Sequence, residues 1–228
     1  MTINRKGIGE GLCGASVIVG SLLTPFLRNW RLKWGATDAD IEGFLPGDDL
    51  VPHPKWHYTN AITIDAPITS VWPWLVQIGQ GRGGWYSYEW LENLLGCKIK
   101  NADRIISEFQ DLKVGDSVRL SADMPGYPVA IVEFERAIVL YTDSRTGTTP
   151  FPTGKKPSDY YASTWTFFLD ETDDNRTRFI SRLRSDYNPI LLHKLMFGLS
   201  LLEPISTAMQ RKMLKEIKKR AEVEFLKK

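Results

Sequence analysis

The chain has 228 residues, of which 43% are hydrophobic and 25% charged, the balance of an ordinary globular protein large enough for one substantial domain. A formal net charge of +2 is too small to argue for a nucleic-acid partner. Two cysteines far apart, Cys13 and Cys97, exclude a disulfide framework and a zinc site of the usual spacing.

The first 35 residues read as an apolar and basic extension. Arg5 and Lys6 precede a mostly apolar run over residues 11–27, which imitates a signal peptide, but no small-x-small cleavage site follows it. Arg28, Asn29, Trp30, Arg31, Leu32, Lys33 and Trp34 follow instead, an aromatic and basic border of the kind found at membrane interfaces. The run is rich in Gly and Ser, is stopped by Pro25, and lies at the lower edge of spanning length. Two readings stay open for it: anchoring or docking at a membrane, or packing on the protein's own surface. The location that follows is cytoplasmic, with association to the inner face of the membrane under the first reading.

Residues 36–58 hold Pro46, Pro52 and Pro54 with Gly43 and Gly47, and read as an irregular lead-in lying over the domain. Its acidic residues Asp38, Asp40, Glu42, Asp48 and Asp49 read as solvated or capping. His53 and His57 have a helical metal-ligand spacing, but the prolines forbid that helix, so no metal is expected.

A strand is predicted over residues 59–65. A helix follows, because Ile68, Val71, Trp72, Leu75 and Val76 keep the spacing of one helical face; Pro67 suits its first turn and Pro73 should kink it. Residues 77–90 then read Gln-Ile-Gly-Gln-Gly-Arg-Gly-Gly-Trp-Tyr-Ser-Tyr-Glu-Trp. Gly79, Gly81, Gly83 and Gly84 break any helix here and allow a shaped loop that presents Arg82, Trp85, Tyr86, Tyr88 and Trp90. Aromatic rings with polar handles suit a pocket rim. The glycines match G-x-G-x-x-G, but the element before them is a helix where a dinucleotide site needs a strand. A tight turn whose aromatics belong to the core is the competing reading.

A short helix over residues 87–95 is closed by Gly96. Strands are predicted over residues 117–120, 129–134, 137–142, 164–169 and 177–186, with the last pair joined by a turn that holds the Asn175-Arg176-Thr177 sequon. Short connections imply antiparallel pairing, and alternation places Trp165, Phe167 and Leu169 on an apolar face. In the last strand Phe179, Ser181 and Leu183 oppose Arg178, Ile180, Arg182 and Arg184, a face expected to meet solvent. Residues 143–162 form a long loop of the kind that carries function. Residues 190–202 are apolar nearly all round and too short to span a bilayer, so they are buried, dip into a membrane surface or pair with the N-terminal run. In the C-terminal helix Met209, Met213, Ile217, Ala221 and Phe225 recur every fourth residue, placing Met209, Met213 and Ile217 toward the sheet.

These elements resemble, in order and motif, the START-like or SRPBCC helix-grip superfamily, and within it a bacterial branch often labelled polyketide cyclase/dehydrase or lipid-transport-like. The resemblance rests on Ile64-Asp-Ala-Pro67, Val71-Trp-Pro-Trp-Leu-Val-Gln77, Gly79-Gln-Gly-Arg-Gly-Gly-Trp-Tyr-Ser-Tyr88, Val114-Gly-Asp116, Trp165-Thr-Phe167, Thr177-Arg178 and Arg211-Lys-Met-Leu214, with Trp34-Gly-Ala-Thr37 and Leu45-Pro-Gly-Asp48 like that branch's lead-in. It implies an α+β fold over residues 59–228, a curved antiparallel sheet around a long C-terminal helix, enclosing a cavity for an apolar molecule or lipid.

The resemblance does not choose between binding and catalysis. Three histidines in unsuitable places give no support to a nucleophile–histidine pair, and Ser87 lacks the nucleophile elbow. Binding or carriage of an apolar ligand is therefore favoured, with a cyclase/dehydratase-type enzyme acting on a polyketide-like substrate and a structural domain with a filled core as alternatives. Trp74, Gln77, Gln80, Arg82, Trp85, Tyr86, Tyr88, Trp165 and Phe167 are the candidate ligand contacts, and no cofactor is expected. Trp85 and Tyr86 are expected to diverge, one inward and one toward the cavity mouth. Arg82 either grips a ligand carboxylate or carbonyl, or ties down loop carbonyls. Membrane contact through residues 8–34 and 190–202 completes the expectation.

Overall fold

The computed structural model describes residues 26–94, 96–147, 159–172, 174–188 and 202–227. The apolar run before Phe26, Cys13, residues 190–201 and the middle of the 143–162 loop lie outside the described residues.

The fold is α+β. Helix α1 (Phe26–Leu32) and the short α2 (Asp38–Glu42) precede strand β1 (Trp56–Ile64), and helix α3 (Ile68–Val76) follows it. The glycine loop leads into α4 (Glu89–Leu94). Strands β2 (Ser117–Val118), β3 (Tyr127–Glu133), β4 (Ala137–Asp143), β5 (Tyr161–Thr172) and β6 (Arg176–Tyr187) come next, and α5 (Leu202–Phe225) closes the described chain. The six strands form one antiparallel open sheet in the order β1-β6-β5-β4-β3-β2, so the first strand closes against the last. With α5 packed on one face of that sheet, the layout is helix-grip-like.

Register explains which side chains meet on that face. Trp165 lies opposite Leu183 and Leu140, Phe167 opposite Ser181 and Ile138, and Leu169 opposite Phe179, so these residues share the side that α5 and α3 cover. From α5, Met213, Leu214, Ile217 and Ala221 enter the core with Val71, Trp72, Trp74, Leu75 and Val76 of α3. Leu214 joins a face that fourfold spacing alone leaves out, and Phe225 is 40% exposed, because a stripe repeating every fourth residue drifts round a helix of 3.6 residues per turn.

The opposite face is not solvated. Arg182 is buried, pairs with Asp48, and donates to the carbonyl oxygens of Asp40, Ile41 and Gly43. Arg178 donates to Asp40 and to the Gly35 carbonyl, and Arg184 donates to the carbonyls of Val51 and Pro52. The arginine side of β6 thus holds the lead-in against the sheet, with Leu45 packing on Ala61 and Ile180 beneath it. Alternation located the arginines; it could not show that a proline-rich segment would present its carbonyls to them. Asp48 is consequently a buried partner, while Asp40 pairs with Arg178 and also closes a capping box with Thr37. Among the described residues no helix is long and apolar enough to cross a membrane.

Candidate functional site

The loop after α3 is held shut by its own backbone. Gly79 and Gly84 exchange hydrogen bonds of 2.9 and 3.0 Å, and Gly84 has φ 81° with its α-carbon against the next segment. A Cβ at Gly84 would come within 2.5 Å of Asn101 Oδ1 and 2.7 Å of the Lys100 carbonyl oxygen, so only glycine fits. Tyr86 also adopts a left-handed conformation, φ 53°, and its N–H donates to Asn101 Oδ1 at 2.7 Å. This twist makes Trp85 and Tyr86 diverge.

Tyr86 turns into the core. Its ring packs edge-on against Trp74, its hydroxyl accepts from Gln77 Nε2 at 2.8 Å, and burial pushes the phenol up to about 12. Gln77 is fully buried, and its Oε1 accepts from the Ile106 N–H. Arg82 Nη2 donates to the carbonyl oxygens of Val76 at 3.0 Å and Phe109 at 2.9 Å, with the guanidinium 5.0 Å from the Phe109 ring centre. Of the two roles open to it from sequence, the geometry is that of a loop tie. Gln80 donates to the Lys98 carbonyl, and Tyr88 has the Lys212 ammonium 5.8 Å from its ring centre.

Trp85 turns the other way, toward a cavity of about 350 Å³ between the sheet and α5. Its indole stacks on Trp165 at 5.0 Å with an interplanar angle of 4°, and its Nε1 donates to the Arg119 carbonyl. The sheet supplies Trp56, Tyr127, Tyr161, Trp165 and Leu183, and α5 supplies Ile205, Ser206, Met209, Gln210 and Met213. Ser87, Glu92, Cys97, Leu120, Ser121 and Met124 come from α4 and the flanking loops. Of the nine candidate contacts, the structure brings Trp85 and Trp165 to this cavity. Trp74, Gln77, Tyr86 and Phe167 lie in the surrounding core, and Gln80, Arg82 and Tyr88 are outside the lining.

Two kinds of polar group line the cavity. On the sheet and α5 several are paired: Gln210 accepts from Trp165 Nε1 and donates to Ser181 and Asn60, Tyr127 and Tyr161 share a hydrogen bond of 3.2 Å, and Ser206 meets Tyr58 at 2.5 Å. Around α4 they are not. Glu92 is 2% exposed and its Oε2 has no partner; Ser87 Oγ is buried without one as well. Burial, and then the charge of Glu89, push the Glu92 acid up to about 7. Burial and the Glu92 charge also raise the nearby Cys97 thiol.

No protein-family model matches the chain, and no curated protein does. Solved structures do resemble it. Protein MLL2253 from Mesorhizobium loti is 15% identical, covers 71% of this chain and 95% of its own, and superposes with a TM-score of 0.39. CalU16 from Micromonospora echinospora is 12% identical, with coverages of 73% and 84% and a TM-score of 0.33. The hypothetical protein jhp0584 from Helicobacter pylori is 10% identical, with coverages of 74% and 95% and a TM-score of 0.36.

Sequence reasoning passed over Glu92, Ser87 and the α5 residues that complete the lining. No local signal marked Glu92. The apolar residues of α4 would normally turn inward, yet Trp90 is 46% and Leu94 75% exposed while Glu92 is buried. A short helix that hides its acid and shows its apolar groups is a mark of a site, and only the direction of the helix reveals it.

Proposed function

We propose that the protein binds or carries an apolar small molecule or lipid in the cavity between sheet and α5, as a helix-grip protein of the START-like or SRPBCC type. The observation that supports this is the cavity itself: about 350 Å³, lined by three tryptophans, two tyrosines, two leucines, an isoleucine and three methionines, within the range of small-molecule pockets. A concavity lined this heavily by apolar side chains leaves contacts unmade that a filled core would make, which favours a ligand over a purely structural role. Docking at a membrane surface belongs to the same proposal. Trp30 is half exposed beside basic side chains, and the Arg211 guanidinium bridges Trp30 and Trp34 at 5.1 and 5.0 Å from their ring centres.

Native mass spectrometry of the purified protein tests the binding reading: a retained apolar mass supports it, and a bare chain that also takes up no added apolar probe refutes it. One observation favours the cyclase/dehydratase alternative, the Glu92 acid poised near neutrality where proton transfer is most effective. Under the binding reading a retained ligand keeps its mass on incubation with the protein. Under the dehydratase reading it loses water.

A further inference from the structure

Resting on the cavity reading above, we propose that Glu92 and Ser87 form the polar end of the cavity and that the molecule it takes is an apolar amine, its ammonium held by the Glu92 carboxylate. The cavity lining carries two polar atoms whose hydrogen bonds the protein leaves open, since Glu92 Oε2 and Ser87 Oγ are both buried without partners. Gln210 bonds to Trp165 and Tyr127 to Tyr161 within the lining, whereas Glu92 Oε2 and Ser87 Oγ are open to a donor.

The sign of the missing charge follows from the lining. Among its described residues there is no lysine, arginine or histidine, and Glu92 is the one charged group. The next charge on the same helix, Glu89, is negative too and acts on Glu92 unfavourably. A ligand carboxylate or phosphate would add a like charge in a low-dielectric space. A ligand hydroxyl would fill a hydrogen bond and leave the carboxylate uncompensated. An ammonium does both, donating to Glu92 and to Ser87 while supplying the opposite charge. The burial of Glu92 on a helix that leaves Trp90 and Leu94 exposed is accounted for by this contact.

The test is a titration calorimetry series on the full chain with three probes of one chain length: decylamine, decan-1-ol and decanoate, near neutral pH. Decylamine is expected to bind at least about tenfold more tightly than decan-1-ol, the scale of one hydrogen bond to a charged group, and decanoate more weakly than either. Glu92→Gln should abolish the preference for the amine, bringing decylamine and decan-1-ol to comparable affinity. Equal affinity for amine and alcohol, tighter binding of decanoate, or an amine affinity untouched by Glu92→Gln would each overturn the proposal while leaving the cavity reading intact. Failure of all three probes to bind would overturn both. Should the variant fold poorly, the wild-type series alone decides.

Discussion

Replacing Glu92 by glutamine keeps the shape of the side chain and removes its ionisation. In the folded protein the acid is raised from its ordinary 4.5 to about 7, first by burial and then by Glu89. The folded state therefore holds a proton more tightly than the unfolded state. The favourable protonated form contributes fully below about pH 4.5, and its contribution is lost as pH rises from there through about 7, so ionisation destabilises the fold above neutrality. A tenfold difference in proton affinity between the two states corresponds to about 1.4 kcal/mol, which makes the cost at pH 8 about 3 kcal/mol at most. For a chain of this size that corresponds to roughly 6–12 °C in melting temperature. Calorimetric melts of wild type and Glu92→Gln should then nearly coincide close to pH 5, with the variant pulling ahead as the pH approaches 8. Cys97 also faces Glu92 and has its own thiol raised, so Cys97→Ser serves as a control that should leave the divergence in place. A stability difference that does not change with pH between 5 and 8 would refute a buried, uncompensated Glu92.

Arg82→Gln should cost about 1.5–3 kcal/mol of stability, through lost charged donors to the Val76 and Phe109 carbonyls, with ligand affinity per folded molecule unchanged; a fall in affinity without a fall in melting temperature would reassign it to the ligand. Arg182→Met should destabilise by about 3–5 kcal/mol by stranding Asp48, and adding Asp48→Asn should restore part of it, as denaturant titrations of the single and double variants would show. Met213→Asp puts a charge on the 2%-exposed contact between α5 and the sheet, and about 4 kcal/mol or more should be lost; a variant that melts like its parent would mean the helix face is misassigned. Gly84→Ala should cost more than about 1 kcal/mol, since it meets both a left-handed backbone and the Asn101 side chain, and near-native stability would contradict the closed loop.

The residues alone determined the order of helices and strands from β1 onward, because hydrophobic spacing of two or nearly four residues is written along the chain and needs no distant partner; they did not show the short α2 in the lead-in or the start of β5 at Tyr161. They placed α3, the break at Gly79 to Gly84, the arginine and aromatic sides of β6 and the buried Met213. They also left Arg82 with two roles, and the choice lay in carbonyls that belong to Val76 and to Phe109, the latter 27 residues away. The same holds for the outer face of β6, which alternation marks as polar but which the lead-in covers by contacts spanning more than a hundred residues. Glu92 is the sharpest case. On a helix wheel it belongs to the wet side, yet the structure places it, 2% exposed, in the lining of the cavity between the sheet and α5. Local pattern fixes what each segment is, while the chemistry of the cavity depends on which segments meet.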